Sequence, residues 1–107
     1  MTLQGGGDLI VTSGVAGAKT LSEYAKAPAG QGEADEVTIY SPNGAGGLPE
    51  NTAVVWCGPA GRAVFPIQPG GVLTLKNVDP GQVALDDRGT SQSIYFVYGG
   101  PYGKRVE

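Results

Sequence analysis

The sequence predicts an all-β protein, a small single-domain β-sandwich of the immunoglobulin-like or jelly-roll-like kind. Three observations support this fold class. Six or seven short β-prone runs are separated by Gly- and Pro-containing turns, with the spacing of roughly 8–12 residues that is typical of sandwiches and small barrels. The alternation of strands and helices that builds a parallel α/β sheet is missing. The chain has 107 residues, which suits one domain with a modest core.

The composition favours a compact domain that is rich in turns. Gly contributes 19 residues and Pro contributes 8, while 40% of the residues are hydrophobic and 16% are charged, so full disorder is not expected. We predict a flexible, Gly-rich N-terminal arm over residues 1–35 and a sandwich core over residues 36–107 with a short polar C-terminal tail. Residues 1–7 and 102–107 are expected to be mobile in an isolated subunit, because they have no apolar face.

The N-terminal arm contains one short strand and one ambiguous segment. Residues 8–12 (Asp-Leu-Ile-Val-Thr) are the β-prone run. Thr20 and Glu23 have the spacing of a helix capping box, in which a hydroxyl and a carboxylate each accept a hydrogen bond from the other residue's backbone N–H group. Pro28 would limit such a helix to about two turns. An extended edge segment is the alternative for residues 20–27, and the sequence leaves both open.

The core strands follow one another between recognisable turns, such as Ser41-Pro42-Asn43-Gly44 and Asp79-Pro80-Gly81. The predicted strands are residues 37–40, 52–57, 63–65, 72–75, 82–85 and 93–98. In the best of these strands, alternate apolar positions are expected to face the core. The predicted core consists of Val37, Ile39, Val55, Leu73, Leu75, Ile94 and Phe96.

The residue types that are missing exclude several kinds of chemistry. The chain has no His and one Cys, which excludes Ser-His and Cys-His nucleophilic systems and the usual zinc sites. Cys57 has no disulfide partner and the N-terminus lacks a secretory signal pattern, so we expect a reducing compartment. The net charge of −3 and the lack of a long apolar run predict no nucleic-acid partner and no membrane partner. We expect neither an enzyme nor a cofactor.

Three motif-like patterns have ordinary interpretations. Residues 14–20 differ from a phosphate-binding loop, because the glycine spacing is one residue short and Ala18 precedes the Lys. Residues 44–47 lack the third glycine of a dinucleotide fingerprint, where Pro49 stands. The acidic residues have no EF-hand spacing, and acids in turns commonly bind nearby backbone N–H groups, so we expect solvated loops rather than metal sites. These acids are Glu33, Asp35, Glu36, Asp79, Asp86 and Asp87.

The candidates for a protein interface are four aromatic residues, Trp56, Tyr95, Tyr98 and Tyr102. Aromatic side chains in a strand with little charge provide a large contact area, and ordinary packing is the alternative. The strands over residues 54–57 and 94–98 carry no charged side chain, whereas exposed edges are usually protected by charge or Pro. At least one of them is expected to be covered, by the Gly-rich N-terminal third or by another subunit, and we favour a symmetric oligomer such as a trimer.

The order of elements over residues 37–98 carries a family resemblance. A strand leads to an Asn-containing loop and an apolar strand, and residues 67–75 (Ile-Gln-Pro-Gly-Gly-Val-Leu-Thr-Leu) form an apolar–x–Pro–Gly–x–x–apolar–Thr–apolar hairpin. An Asp-containing turn at residues 77–80 and a closing strand at residues 93–98 complete the pattern. This order resembles that of small accessory virion proteins of tailed bacteriophages. The Gly-rich N-terminal third has no counterpart in that family.

The resemblance implies a β-sandwich that binds the exterior of the capsid as a decoration, or cement, protein. It also implies the major capsid protein as partner, the virion as location with assembly in the host cytoplasm, and no catalytic residues. A neck, tail or fibre component of the virion is one alternative. A carbohydrate-binding β-sandwich that holds sugars on Trp56 or on the tyrosines is another.

Overall fold

The computed structural model describes residues 6–26, 30 and 33–99. These residues form β-strands and two single-turn 3₁₀ helices, Ala45–Gly47 and Pro80–Gln82, and they contain no α-helix. The strands are β1 (Gly6–Val11), β2 (Lys19–Thr20), β3 (Ala34–Tyr40), β4 (Val55–Gly58), β5 (Phe65–Ile67), β6 (Val72–Val78), β7 (Ala84–Asp86) and β8 (Ser93–Gly99).

Two antiparallel sheets of four strands build a small β-sandwich, as the sequence predicts. Sheet A has the strand order β1-β8-β3-β6, and sheet B has the order β2-β7-β4-β5. Every pairing between neighbouring strands is antiparallel. The chain therefore crosses repeatedly between the two sheets, and most neighbouring strands are distant in sequence.

The core lies between the two sheets and is filled by alternate side chains of both. Sheet A and sheet B contribute the buried side chains of Ile10, Val37, Ile39, Ile94, Phe96, Val55, Cys57, Ile67 and Leu85. The predicted burial of Val37, Ile39, Val55, Ile94 and Phe96 is confirmed. Leu73 and Leu75 differ, because they are only half-buried against this core. Their strand, β6, is at the edge of sheet A, so no strand of the described chain covers their outer side.

The described part of the first 35 residues belongs to the sandwich. β1 pairs with β8 along its whole length, β2 pairs with β7, and Ile10 and Leu21 are buried in the core. The structure thus places more of this segment in the fold than a flexible arm would contribute, because β7 and β8 need partners for their backbone groups. Of the ends predicted to be mobile, residues 1–5 and 102–107 lie outside the described residues. Gly6 and Gly7 differ from the prediction, because they pair with β8 as part of β1.

The two strands that were expected to need a cover because they lack charged side chains, β4 and β8, are both interior strands. β4 lies between β7 and β5, and β8 lies between β1 and β3. β1, which belongs to the Gly-rich N-terminal third, therefore covers one side of β8. Of the two predicted covers, the N-terminal third and another subunit, the structure shows the first for this strand.

The segment after β2 forms one hydrogen-bonded turn and no longer helix. Both bonds of the predicted capping box are present, since Thr20 N–H donates to Glu23 Oε1 (2.7 Å) and Glu23 N–H donates to Thr20 Oγ1 (3.3 Å). Tyr24 N–H donates to the Thr20 carbonyl (3.1 Å), as in an α-helical turn. Ala25 then adopts a left-handed φ of 60°, a conformation that does not propagate a helix.

Candidate functional site

The outward side of sheet A carries an apolar surface that crosses all four strands. In the strand register, Leu9 of β1 lies opposite Tyr95 of β8, Tyr95 lies opposite Tyr40 of β3, and Tyr40 lies opposite Val72 of β6. These four side chains share one face because residues directly opposite each other in a sheet point to the same side. We call the set of Leu9, Val11, Tyr40, Val72, Tyr95 and Val97 the apolar face.

The apolar face is accessible from solvent. Tyr95 is 38% exposed, Val97 45% and Val72 58%. Tyr40 is held in place, because its hydroxyl donates to Asn43 Oδ1 (3.2 Å). Contiguous exposed apolar side chains of this kind mark interaction sites more often than scattered ones do.

The rest of the outward side of sheet A is polar or charged but has no net charge. Thr38 and Thr74 lie opposite each other, in the row next to that of Tyr40 and Val72, and their hydroxyl oxygens are 3.3 Å apart. Lys76 forms an ion pair with Glu36 one row further along. A depression of about 360 Å³, lined in part by Thr38, Glu36 and Val97, opens beside these rows. The face therefore combines apolar contact area with a shallow concavity and balanced charge.

Trp56 lies on the other side of the molecule. Its neighbours in β4, Val55 and Cys57, are buried between the sheets, so alternation directs Trp56 to the outward side of sheet B. The guanidinium carbon of Arg88 lies 4.3 Å from the centroid of the indole ring. Arg88 is itself oriented by Asp86, which is the cross-strand neighbour of Trp56. The Arg88 guanidinium thus covers one face of the indole ring, and Asp86 orients the guanidinium.

The other candidate aromatic residues do not form one surface with Trp56. Tyr98 is half-buried and packs against the core, with its ring stacked on Phe96 at 6.2 Å between centroids. Tyr95 and Tyr98 therefore lie on opposite sides of β8. Tyr102 is outside the described residues.

The residues that complete the apolar face were not among the sequence candidates. Leu9, Tyr40 and Val72 each alternate with inward-facing residues of their strands, and that local signal is present in the sequence. Their assembly into one surface with Tyr95 depends on the strand order, which no local pattern specifies.

The acids of the turns accept hydrogen bonds from nearby backbone N–H groups, as predicted for Asp79, Asp86 and Asp87, but Asp87 is buried and not solvated as expected. Asp87 is 3% exposed, and it accepts hydrogen bonds from the N–H groups of Gly14 (2.6 Å) and Gly89 (2.9 Å). Burial acts to raise the pKa of Asp87, but hydrogen bonds from the Thr12 side chain and from these backbone groups outweigh it, so the pKa is lowered. Among the residues that the structure describes, no three potential ligands cluster to form a metal site.

Cys57 is buried between the sheets and is not a nucleophile. Burial raises the pKa of its thiol to about 12, because a thiolate would lose its solvation there. At neutral pH the side chain is a protonated, small apolar group of the core.

The fold and the candidate site define a small antiparallel β-sandwich with one apolar outer sheet face. Comparisons of the chain with protein-family models, curated protein sequences and solved structures found no significant match. Within the described ranges, no helix has the length and apolar character needed to cross a lipid bilayer.

Proposed function

We propose that this protein is a structural protein of a phage virion, and specifically a decoration protein that binds the outer surface of the assembled capsid. The apolar face of sheet A is the observation that carries the proposal on the structural side. The resemblance over residues 37–98 supplies the kind of partner, a lattice of major capsid protein.

The mechanism is stabilisation by binding to one state. Each bound copy buries its apolar face only where neighbouring capsid subunits are in their assembled positions. A ligand that binds the assembled state and not the dissociated state shifts the equilibrium toward assembly. Many copies on one shell add their contributions, so a modest affinity per copy is enough.

The chemistry of the apolar face suits this role. Tyr40 and Tyr95 lie side by side at its centre, and the aliphatic side chains of Leu9 and Val72 flank them. Tyrosines provide contact area at low entropic cost and are enriched at protein interfaces. The hydrogen bond from Tyr40 to Asn43 orders one of the two rings before binding, which reduces the cost of association.

A carbohydrate-binding function on Trp56 has less support. Sugars stack on an open aromatic face, whereas the Arg88 guanidinium already occupies one face of Trp56. A neck, tail or fibre component would use the same apolar face against a different virion protein, so the choice of partner in the experiment separates these alternatives.

The first testable prediction concerns the capsid contact. Val97→Lys places a charge in the apolar face, and Val64→Lys is the matched control, because Val64 is a similarly exposed valine (56%) outside that face. Each purified variant is titrated onto expanded and unexpanded capsid shells assembled without the protein. We expect Val97→Lys to weaken binding to one form of shell by at least about tenfold, and Val64→Lys to bind like the wild type.

Three outcomes would contradict the proposal. Equal binding by both lysine variants would exclude the apolar face as the contact. Failure of the wild-type protein to bind or to heat-stabilise either shell would exclude the decoration function. Retention of the protein on a polysaccharide gel, with loss of retention in a Tyr95→Ala variant, would favour the carbohydrate alternative.

A further inference from the structure

β6 forms an open edge of sheet A. The hydrogen bonding between β6 and β3 determines which backbone groups of β6 point away from the sheet. Ser41 N–H donates to the Gly71 carbonyl (3.0 Å), so the Gly71 carbonyl points toward the β3 side and sets the phase of the ladder. In an antiparallel ladder, hydrogen-bonding positions alternate along each strand. Leu73 and Leu75 therefore direct their backbone groups toward β3, and the N–H and C=O groups of Val72, Thr74 and Lys76 point away from it.

This edge lacks the usual protection against pairing with another strand. Over its seven residues β6 has no Pro, and its one charged side chain, Lys76, is paired with Glu36. The other edges of the described sheets differ: β5 contains Pro66, β2 has two residues, and β1 carries the charged Asp8. Natural edge strands are usually blunted by such features.

We propose that β6 pairs edge to edge with β6 of a second copy of this chain, in antiparallel register centred on Thr74. The sequence around Thr74 is symmetric, because a leucine stands on each side of it. In this register Thr74 lies opposite Thr74 of the second copy, Leu73 lies opposite Leu75, and Val72 lies opposite Lys76. The three outward-pointing positions then pair with one another, which gives about six backbone hydrogen bonds.

Burial and charge both favour a second copy as the occupant of this edge. Leu73 and Leu75 are half-buried in the single chain, and cross-strand Leu73–Leu75 contacts would cover each of them on the core side of the extended sheet. These are non-hydrogen-bonded pairs, in which side chains approach most closely. Each Lys76 keeps its own Glu36 and faces a valine, so no like charges oppose each other across the contact.

The resulting dimer has eight continuous strands and a two-fold axis perpendicular to the sheet. Such an axis leaves both apolar faces on the same side of the dimer. Two capsid-binding faces on one body would add their affinities through effective concentration. The self-association itself does not depend on the proposed function, since it rests on β6 alone.

The second testable prediction is a charge swap at the two-fold axis. Light scattering and sedimentation of the wild-type protein, without capsid, should give a dimer at roughly tens of micromolar protein. Thr74→Lys and Thr74→Glu should each be monomeric, because each places like charges opposite each other. An equimolar mixture of the two variants should restore the dimer.

The controls separate this edge from the apolar face. Val97→Lys should leave the dimer unchanged, and Val72→Glu should tighten it several-fold, because the new carboxylate faces Lys76 of the second copy. Circular dichroism checks that each variant is folded. A monomeric wild type, a trimer, a dimeric Thr74→Lys variant, or a mixture that stays monomeric would overturn the proposal. A dimer that fails to bind capsid would contradict the proposed function alone.

Discussion

At the scale of single residues, buried polar side chains with complete hydrogen bonding attach the loops to the sheets. Asn51 Nδ2 donates to Ser41 Oγ (2.7 Å) and to the Ser93 carbonyl (2.6 Å), and Asn51 Oδ1 accepts from Ser93 N–H (2.6 Å). Asp87 likewise attaches the loop after β1 to the loop before β8. Because an unsatisfied buried polar group costs more than a hydrogen bond contributes, such residues determine where the loops lie.

The third testable prediction concerns Asp87 and pH. The pKa of Asp87 is lower in the folded protein than its usual value, so its charged form stabilises the fold above the unfolded-state pKa. That contribution is lost as the pH falls through the folded-state pKa. Asp87→Asn should lower the free energy of unfolding at pH 7 by about 1–3 kcal/mol, because one buried N–H group loses its acceptor.

Urea denaturation at several pH values measures this effect. The difference between wild type and Asp87→Asn should shrink as the pH falls below about 4. Glu50→Gln is the control, because Glu50 is exposed and its replacement should change stability little at any pH. If the difference in the free energy of unfolding between wild type and Asp87→Asn stayed constant down to the pH of acid unfolding, the role of the carboxylate charge would be contradicted.

At the scale of elements, alternation along β8 separates the core from the apolar face. Ile94 and Phe96 are buried, while Tyr95 and Val97 point outward between them. A slip of one residue in the pairing with β1 and β3 would exchange these two sets. The burial of Phe96, which is 1% exposed, therefore establishes both the register and the existence of the apolar face.

The end of β4 depends on a glycine. A Cβ atom at Gly58 would lie well inside van der Waals contact with the Arg62 carbonyl oxygen, where the chain turns back after the strand. The fourth testable prediction is that Gly58→Ala lowers the free energy of unfolding by about 3 kcal/mol, because the backbone must shift to admit the methyl group.

The matched control for Gly58→Ala is Gly99→Ala. Gly99 also ends a strand, and a Cβ atom there would meet no atom of the described residues within 4 Å. We expect Gly99→Ala to change the free energy of unfolding, measured by urea denaturation, by less than about 0.5 kcal/mol, as for ordinary surface substitutions. Equal effects of the two substitutions would contradict the proposed steric cause.

At the scale of the whole molecule, the two sheets present different outer surfaces around a shared core. Sheet A displays the apolar face, whereas on sheet B the Trp56 ring is covered by Arg88. Residues of both sheets surround Cys57, which belongs to β4 and is fully buried. Access of a reagent to this thiol therefore requires the core to open.

The fifth testable prediction follows from that position. Burial raises the pKa of Cys57 to about 12, so its thiol should remain protonated and unlabelled by iodoacetamide at pH 8 in the folded protein. In concentrated urea the labelling should become fast. A Cys57→Ala, Val64→Cys double variant is the control, because a thiol at that exposed position should react at once. Fast labelling of the native wild type would contradict the packing of β4.

Much of the fold could be predicted from local patterns. Inward positions such as Val37, Ile39 and Phe96 follow from alternation with a period of two, which depends only on neighbouring residues. The capping box of Thr20 and Glu23 forms as its spacing predicts. The helix that this capping box could begin nevertheless stops after one turn, because Ala25 takes a left-handed conformation that the capping pattern does not encode.

The sequence by itself indicated where most strands lie and which of their sides face the core, although it missed β2 and placed β5 two residues early. Only the tertiary structure decided the strand order, and with it the apolar face and the open edge at β6. Leu9 and Tyr95 become neighbours across 86 residues of chain, and Tyr40 and Val72 across 32. Side-chain alternation carries no information about such distant partners, since they are selected by the combined burial of both sheets.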